Sequence, residues 1–286
     1  MKALSFCPRR HNLRRAAVLL ALSAGCTAGF AQDGGGRLNQ RFWIQLGAFD
    51  PRIDSIVQAN DAAAGLTGSR IDGESDLGLS SRKTVGLLQL GARLDDRWRL
   101  EFEYFALKRS ANQTLLNGNL VFDNATYPVA ATLASQFDSS VYRLSGGYSF
   151  FRNPQAELGV AVGLHVTDFK VMLDGAATVN GLQVASARKE KSKALPLPTV
   201  GLYCTYAFAP NWLGAVRADY FSLRHSGYKG TLTNLQADLL YRFTPNFSVG
   251  LGYRLDDYRL NANSAAWNGS VQYKFRGPQV VFDLGF

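Results

Sequence analysis

The chain is poor in the residues that would staple or coordinate it. Three cysteines occur in 286 residues, and histidine is equally scarce. Cys7 and Cys26 lie in an N-terminal stretch with the marks of a leader, which leaves Cys204 alone in the remainder. No intramolecular disulfide can form there, so stability has to come from backbone hydrogen bonds and packing. Beyond that leader no apolar run approaches the ~20 residues that a membrane-spanning helix requires. What replaces long runs is alternation: segments near ~10 residues long with period two, separated by turn residues.

The leader itself is legible. Lys2, Arg9, Arg10, Arg14 and Arg15 precede the apolar run Ala16 to Leu22, and small residues lead to Ala31. This is the pattern of a secretory signal peptide cleaved after Ala31, so residues 1–31 are expected to leave a single domain over 32–286. Cys26 follows Ser23-Ala24-Gly25 as an acylated cysteine would, but the bulky aliphatic residue three positions earlier is missing. The leader carries five of the thirty-one basic residues and none of the twenty-two acidic ones, so 26 bases remain against 22 acids. A charge of +4 spread over 255 residues gives a nucleic-acid-binding reading no support.

Ten alternating segments follow in order: Gln40–Phe49, Lys83–Leu94, Arg97–Lys108, Ser140–Phe150, Ala156–Thr167, Leu197–Phe208, Trp212–Leu223, Thr231–Phe243, Phe247–Tyr258, and a last one running to Phe286. In the third, Trp98, Leu100, Phe102, Tyr104 and Ala106 alternate with Arg99, Glu101 and Glu103. Shifting that register by one would put several charges into lipid, at about 2–4 kcal/mol for each Arg at mid-bilayer. Asp95-Asp96, Arg152-Asn153-Pro154, Ala209-Pro210-Asn211 and Thr244-Pro245-Asn246 read as tight turns, and the segments 50–81, 109–137 and 168–196 read as long loops. In the last segment Val271, Tyr273 and Phe275 are apolar on odd positions and Val280 to Phe286 on even ones, which predicts a bulge or kink at Gly277-Pro278.

Short turns on one side, long loops on the other and an even strand count define an all-β, up-and-down transmembrane barrel. Ten strands are expected, with eight or twelve as the other counts to consider. Aromatics beside the short turns, such as Trp98, Tyr148, Phe208, Trp212 and Phe243, fit an interfacial girdle. A secreted barrel with an apolar interior would share the period. Its polar stripe would be a solvated surface, whereas here that stripe mixes many glycines with balanced charge. The bases Arg93, Arg99, Arg143, Arg217, Arg242, Arg254 and Lys274 stand against Glu101, Glu103, Glu157, Asp219, Asp238, Asp256 and Asp283. Such a set suits a closed lumen of paired side chains, because an unpaired buried charge is costly.

The terminal strand Val280-Val281-Phe282-Asp283-Leu284-Gly285-Phe286 resembles the C-terminal signature of bacterial outer-membrane β-barrel proteins. That resemblance implies Gram-negative outer-membrane localisation and recognition of Phe286 by the barrel-assembly machinery. The stretch Ile71-Asp72-Gly73-Glu74-Ser75-Asp76-Leu77-Gly78-Leu79 is similar to a segment of an uncharacterised proteobacterial outer-membrane barrel family, which supplies no catalytic residues. His225-Ser226 resembles the Ser–His pair of the lipid A deacylases, but adjacent strand residues point to opposite faces. His165 and Asp168 near a rim bring to mind the omptin proteases, whose Asp-x-His arrangement the chain lacks. Asp72, Glu74 and Asp76 could gather oxygens for Ca²⁺ but lack the length and closing acid of an EF-hand loop.

No cofactor or metal is therefore expected, and the leading expectation is a monomeric, non-enzymatic barrel with a membrane-structural or surface-binding role. A narrow pore for small polar solutes is the alternative, disfavoured because barrels of this size are filled by their own side chains. The basic run Arg188-Lys189-Glu190-Lys191-Ser192-Lys193, on the long-loop side, is a candidate contact for lipopolysaccharide phosphates.

Overall fold

The computed structural model describes residues 37–286 except 61–66, 116–117, 124, 180, 226–227 and 264–267; the expected leader lies outside the described residues. The strands are β1 (Phe42–Phe49), β2 (Arg52–Ala59), β3 (Ile71–Asp72), β4 (Val85–Arg93), β5 (Trp98–Thr114), β6 (Leu120–Phe122), β7 (Ala125–Tyr127), β8 (Thr132–Arg152), β9 (Ala156–Val179), β10 (Leu182–Ala209), β11 (Trp212–His225), β12 (Tyr228–Thr244), β13 (Phe247–Asn263) and β14 (Asn268–Gly285). Ten of them pair antiparallel in a ring: β1-β4-β5-β8-β9-β10-β11-β12-β13-β14. β14 closes on β1, from Trp43 opposite Gly285 to Phe49 opposite Gln279. Closure leaves the lower wall without an edge strand.

The four tight turns stand where the sequence puts them. Asp95 Oδ1 accepts the N–H groups of Arg97 and Trp98, each at 2.7 Å, and Asn153 Oδ1 accepts those of Gln155 (2.9 Å) and Ala156 (2.7 Å). These Asx contacts reverse the chain without a buried orphan amide. Just beyond them aromatics cluster beside the turns: Trp98 on Tyr148 at 5.0 Å between centroids, Trp212 on Tyr241 at 5.0 Å, Tyr241 on Phe243 at 4.9 Å.

The segments read as long loops are largely wall. β5, β8, β9 and β10 all continue well above the apolar belt, and β9 and β10 pair without a break from Ala156–Tyr206 to Asp174–Arg188. The alternation misleads there because the wall reverses its polarity. Below, apolar side chains such as Leu100, Leu144, Val162 and Leu251 point outward. Above, Phe49, Ile53, Phe105, Phe137, Phe169 and Phe275 point inward and are essentially buried. Lys108, Asp138, Asp168 and Lys274 take the outer face at this height, where lipid would no longer meet them.

That reversal corrects the expected kink in the last strand. β14 pairs with β13 in one unbroken register from Asn268 to Leu284, with odd residues inward throughout. Val271, Tyr273 and Phe275 are core of the upper interior, and Val280, Phe282 and Leu284 are outer wall of the lower one. The discontinuity sits on the facing strand: β14 changes partner from β1 to β2 across Asp50-Pro51, and the Asp50 N–H bonds the Pro278 carbonyl at 3.0 Å. Gly277 permits this crossing, since a Cβ there would lie 2.3 Å from the Asp50 carbonyl oxygen.

Among the described residues two seams of the ring are incomplete above the belt, and in the first β4 pairs with β5 only as far as Leu87 opposite Phe105 although β5 runs on to Thr114. In the second, β10 pairs with β11 only from Ala209 up to Val200 opposite Tyr220, although β10 runs on to Leu182 and β11 to His225. Above Val200 the chain continues through Pro198 and Pro196, which have no N–H to donate, and further ladder bonding stops there. Leu197 packs across the gap, close to where a side chain on Gly230 would stand.

Candidate functional site

The interior is filled at three heights. At the bottom the segment entering β1 folds into the lower mouth. Leu38 is buried with Leu213, Leu240 and Val281, and Arg37 reaches Asp283 at 2.6 Å and Gln45 at 2.9 Å. The Leu38 carbonyl accepts Arg152 Nη2 at 2.8 Å, which ties this plug to the wall.

The middle is a continuous charge lattice. Arg93 grips Glu157 in a fork, Nη1 to Oε1 at 2.8 Å and Nη2 to Oε2 at 2.6 Å, while Ser149 Oγ donates to the same carboxylate. Arg99 lies 3.3 Å above the Tyr203 ring centroid and 3.5 Å from Glu101. Arg217 binds Glu101 and, through Nε at 2.8 Å and Nη2 at 3.0 Å, both oxygens of Asp219. Arg143 bridges Asp219 and Glu103, each at 3.0 Å, and Glu103 also receives Arg254 and Gln89. Asp238 is held by amides, Gln236 at 2.7 Å and Gln279 at 2.5 Å, and Asp256 accepts Asn234 at 2.5 Å. Forked guanidinium–carboxylate contacts are the strong, directional kind, and removing one partner would leave the other's charge buried with fewer ionic contacts.

The top is apolar and carries its own ion pair. The segment 71–79 tucks into the upper mouth with Ile71, Leu77 and Leu79 buried. Glu74 turns inward to the Ser55 N–H (2.8 Å), Ser55 Oγ (2.9 Å) and Arg109. Asp72 Oδ1 caps the turn by accepting the N–H groups of Glu74 (3.1 Å) and Ser75 (2.9 Å), and Asp76 Oδ2 accepts the Asp72 N–H at 2.9 Å. The three carboxylates therefore diverge into structural bonds. Among the described residues no group of three or more His, Cys, Asp or Glu side chains could hold a metal ion.

Of the residues expected in the lumen network, twelve line this interior: Arg93, Arg99, Glu101, Glu103, Arg143, Glu157, Arg217, Asp219, Asp238, Arg254, Asp256 and Asp283. Two do not. Arg242 sits at the lower rim with Nη2 on the Pro210 carbonyl at 2.6 Å, beyond the end of the lattice. Lys274 is on the outer wall, 3.6 Å from Asp257, because inward positions of β14 are odd. Its apolar neighbours Tyr273 and Phe275, which an outward apolar stripe would turn to lipid, are core. Arg37 precedes the first alternating segment and so carries no periodic signal, and Arg109 opens a stretch whose polar outer face has the composition of a loop.

The other candidates do not converge. His165 is buried in the barrel, where Nε2 and the Tyr258 hydroxyl share a hydrogen bond of 2.5 Å, while Asp168 lies on the exposed outer face. Ser226 and the side chain of His225 lie outside the described residues. In the basic run, Arg188 stands 3.6 Å from Glu190, which also holds Lys170 at 2.9 Å, and Lys191 meets Asp123 at 2.9 Å. Lys189 has a partner too, and the Lys193 side chain lies outside the described residues.

A closed ten-stranded antiparallel ring, an outward apolar belt and an aromatic band at the short turns define a transmembrane β-barrel of the outer-membrane type. Comparison with solved structures finds several chains to which this one is similar. The outer-membrane protease OmpT from Escherichia coli matches with a TM-score of 0.56 at 10% identity, covering 91% of this chain and 99% of that one. The attachment invasion locus protein Ail of Yersinia pestis gives a TM-score of 0.34 at 10% identity, over 85% of this chain and 99% of that one. The Pseudomonas putida toluene transporter TodX gives 0.36 at 10% identity, over 90% and 93%. No protein-family model and no curated protein sequence matches the chain.

Proposed function

We propose that the protein is a closed, non-enzymatic barrel that contributes to the outer membrane or binds a partner at its outer surface. The observation that carries this reading is the filling of the interior at all three heights. The cavity inside the charge lattice, bordered by Arg37, Trp43, Gln89 and Arg99, measures about 40 Å³. That is room for a water or two, not for a solute path. The lattice lends the interior rigidity in this reading, and the terminal strand with Phe286 serves recognition by the assembly machinery. A hydrolase is disfavoured because His165 and Asp168 point to opposite sides of one strand.

Planar-bilayer recording of the refolded protein tests the reading. A silent bilayer is expected, and steady single-channel steps would establish the narrow pore instead. Arg188 to Lys193 remain our candidate lipopolysaccharide contact on the long hairpin, with affinity that falls as salt screens it.

A further inference from the structure

The outer wall carries a second cationic feature that the sequence does not advertise, because its members lie far apart in the chain. Arg52 of β2 is the direct ladder partner of Arg276 of β14, and on its other side it forms a bridge with Arg82. Three arginines thus stand side by side at one height, immediately above the apolar belt. All three are exposed, and Arg52 and Arg276 are outward by parity, since Ile53, Phe275 and Gly277 beside them are buried.

Like charges placed directly opposite on a ladder are destabilising. Elsewhere on the upper outer wall several charges are mated: Lys274 with Asp257, Lys170 with Glu190, Lys191 with Asp123. Here Arg276 has the half-exposed Asp54 at 3.7 Å, while among the described residues no acid pairs with Arg52 or Arg82. Asp50 is occupied by the Thr84 hydroxyl at 2.9 Å. Lys83 adds further positive charge beside Arg82.

Below the arginines the wall is shallow. Ala48 is flanked in register by Gly86 on β4 and Val280 on β14, and a Cβ added to Gly86 would meet nothing within 4 Å. Larger apolar side chains, Leu46 and Val280, rise beside this trough.

We propose that Arg52, Arg82 and Arg276 bind a phosphate of an outer-leaflet glycolipid, with one of its acyl chains lying in the trough over Gly86 and Ala48. Guanidinium forks match phosphate oxygens in a way that single ammonium groups do not. An inorganic phosphate would use the arginines alone; the apolar trough directly beneath them selects a lipid. The site is separate from the β9–β10 hairpin that bears Arg188 to Lys193. It rests on the reading that the apolar belt lies in the bilayer.

The test uses the full chain refolded in neutral detergent, titrated with bisphosphorylated lipid A, with the same lipid stripped of phosphate, and with inorganic phosphate, while its thermal midpoint is followed. The bisphosphorylated lipid is expected to raise the midpoint, and the other two are not. Arg52→Gln/Arg276→Gln should weaken binding roughly tenfold or more, as loss of charge-assisted bonds does. Gly86→Phe, which fills the trough and leaves the charge intact, should weaken it as well, and Arg188→Gln should not. Equal response to dephosphorylated lipid, equal response to inorganic phosphate, or full binding by Gly86→Phe and the double variant would overturn the proposal. Should the double variant fail to fold, Gly86→Phe together with Arg82→Gln decides. Folding of the wild-type chain without phosphate-selective binding sinks the site alone. Failure to insert into lipid bilayers at all sinks the membrane reading beneath it.

Discussion

Glu103 shows how the interior is assembled from single contacts. One carboxylate receives Arg143, Arg254 and Gln89, so its removal takes an ionic partner from two buried guanidinium groups at once. Glu103→Leu is expected to cost about 3–5 kcal/mol, the usual loss when one partner of a buried ion pair is deleted, read as a shifted urea midpoint in micelles. At the lower rim the effect is subtler. The Arg97 and Trp98 N–H groups hold the Asp95 carboxyl below its ordinary range. A depressed folded value means the contact is complete above the ordinary carboxylate range and lost as pH falls through the lowered one. Protection factors of those two amides should thus be flat through neutral pH, drop in acid, and be low at all pH in Asp95→Ala. Within the belt, which charges face inward was legible from alternation alone. Which acid each base would meet was not, because period two reports the face of a strand and not its height or its neighbour. Arg242 shows the limit of height, and Lys274 lies above the belt, where the apolar face turns inward and the same alternation points to the wrong side.

At the scale of elements, β14 and β10 were the strands most open to misreading. A single change of apolar parity along β14 has two explanations, a kinked strand or a wall that exchanges inside for outside. Only the register with β13 separates them. The same exchange hid the upper halves of β5, β8 and β9, whose outward faces carry the Ser, Asp and Lys of a solvated wall. Ten strands and four tight turns survived this because the belt, where lipid enforces the pattern, supplies a clean alternation in each strand. In β10 the basic run sits on an edge that has no β11 partner, and Lys, Arg and Pro are what proteins place on edges that must not recruit another chain. Truncation after Gly285 should impair insertion if Phe286 is the assembly signal; heat-modifiable barrel at wild-type yield in a cellular assay would count against that role.

For the whole molecule, the belt fixes depth in the membrane. Trp98 and Trp212 are about half exposed in the aromatic band, whereas Trp43 is buried inside the wall. Single-tryptophan variants in brominated lipids should show quenching of Trp98 and Trp212 that is strongest with bromines near the headgroups, and none for Trp43. Strong quenching of Trp43 would mean that the faces are reversed. Below the belt's upper margin the cylinder is continuous, and above it the missing ladder between β10 and β11 leaves a slit. A slit tube resists bending along its length but yields readily to torsion, so the upper rim has a soft mode that the lower ring lacks. The β8–β10 leaf and the β11–β13 leaf are expected to shear past each other about the closed ring, with Leu197 as the loose catch between them. Spin-label distances across the seam at the height of Ala194 and Arg224 should accordingly be broad, and those across the Tyr206–Gly214 pair narrow.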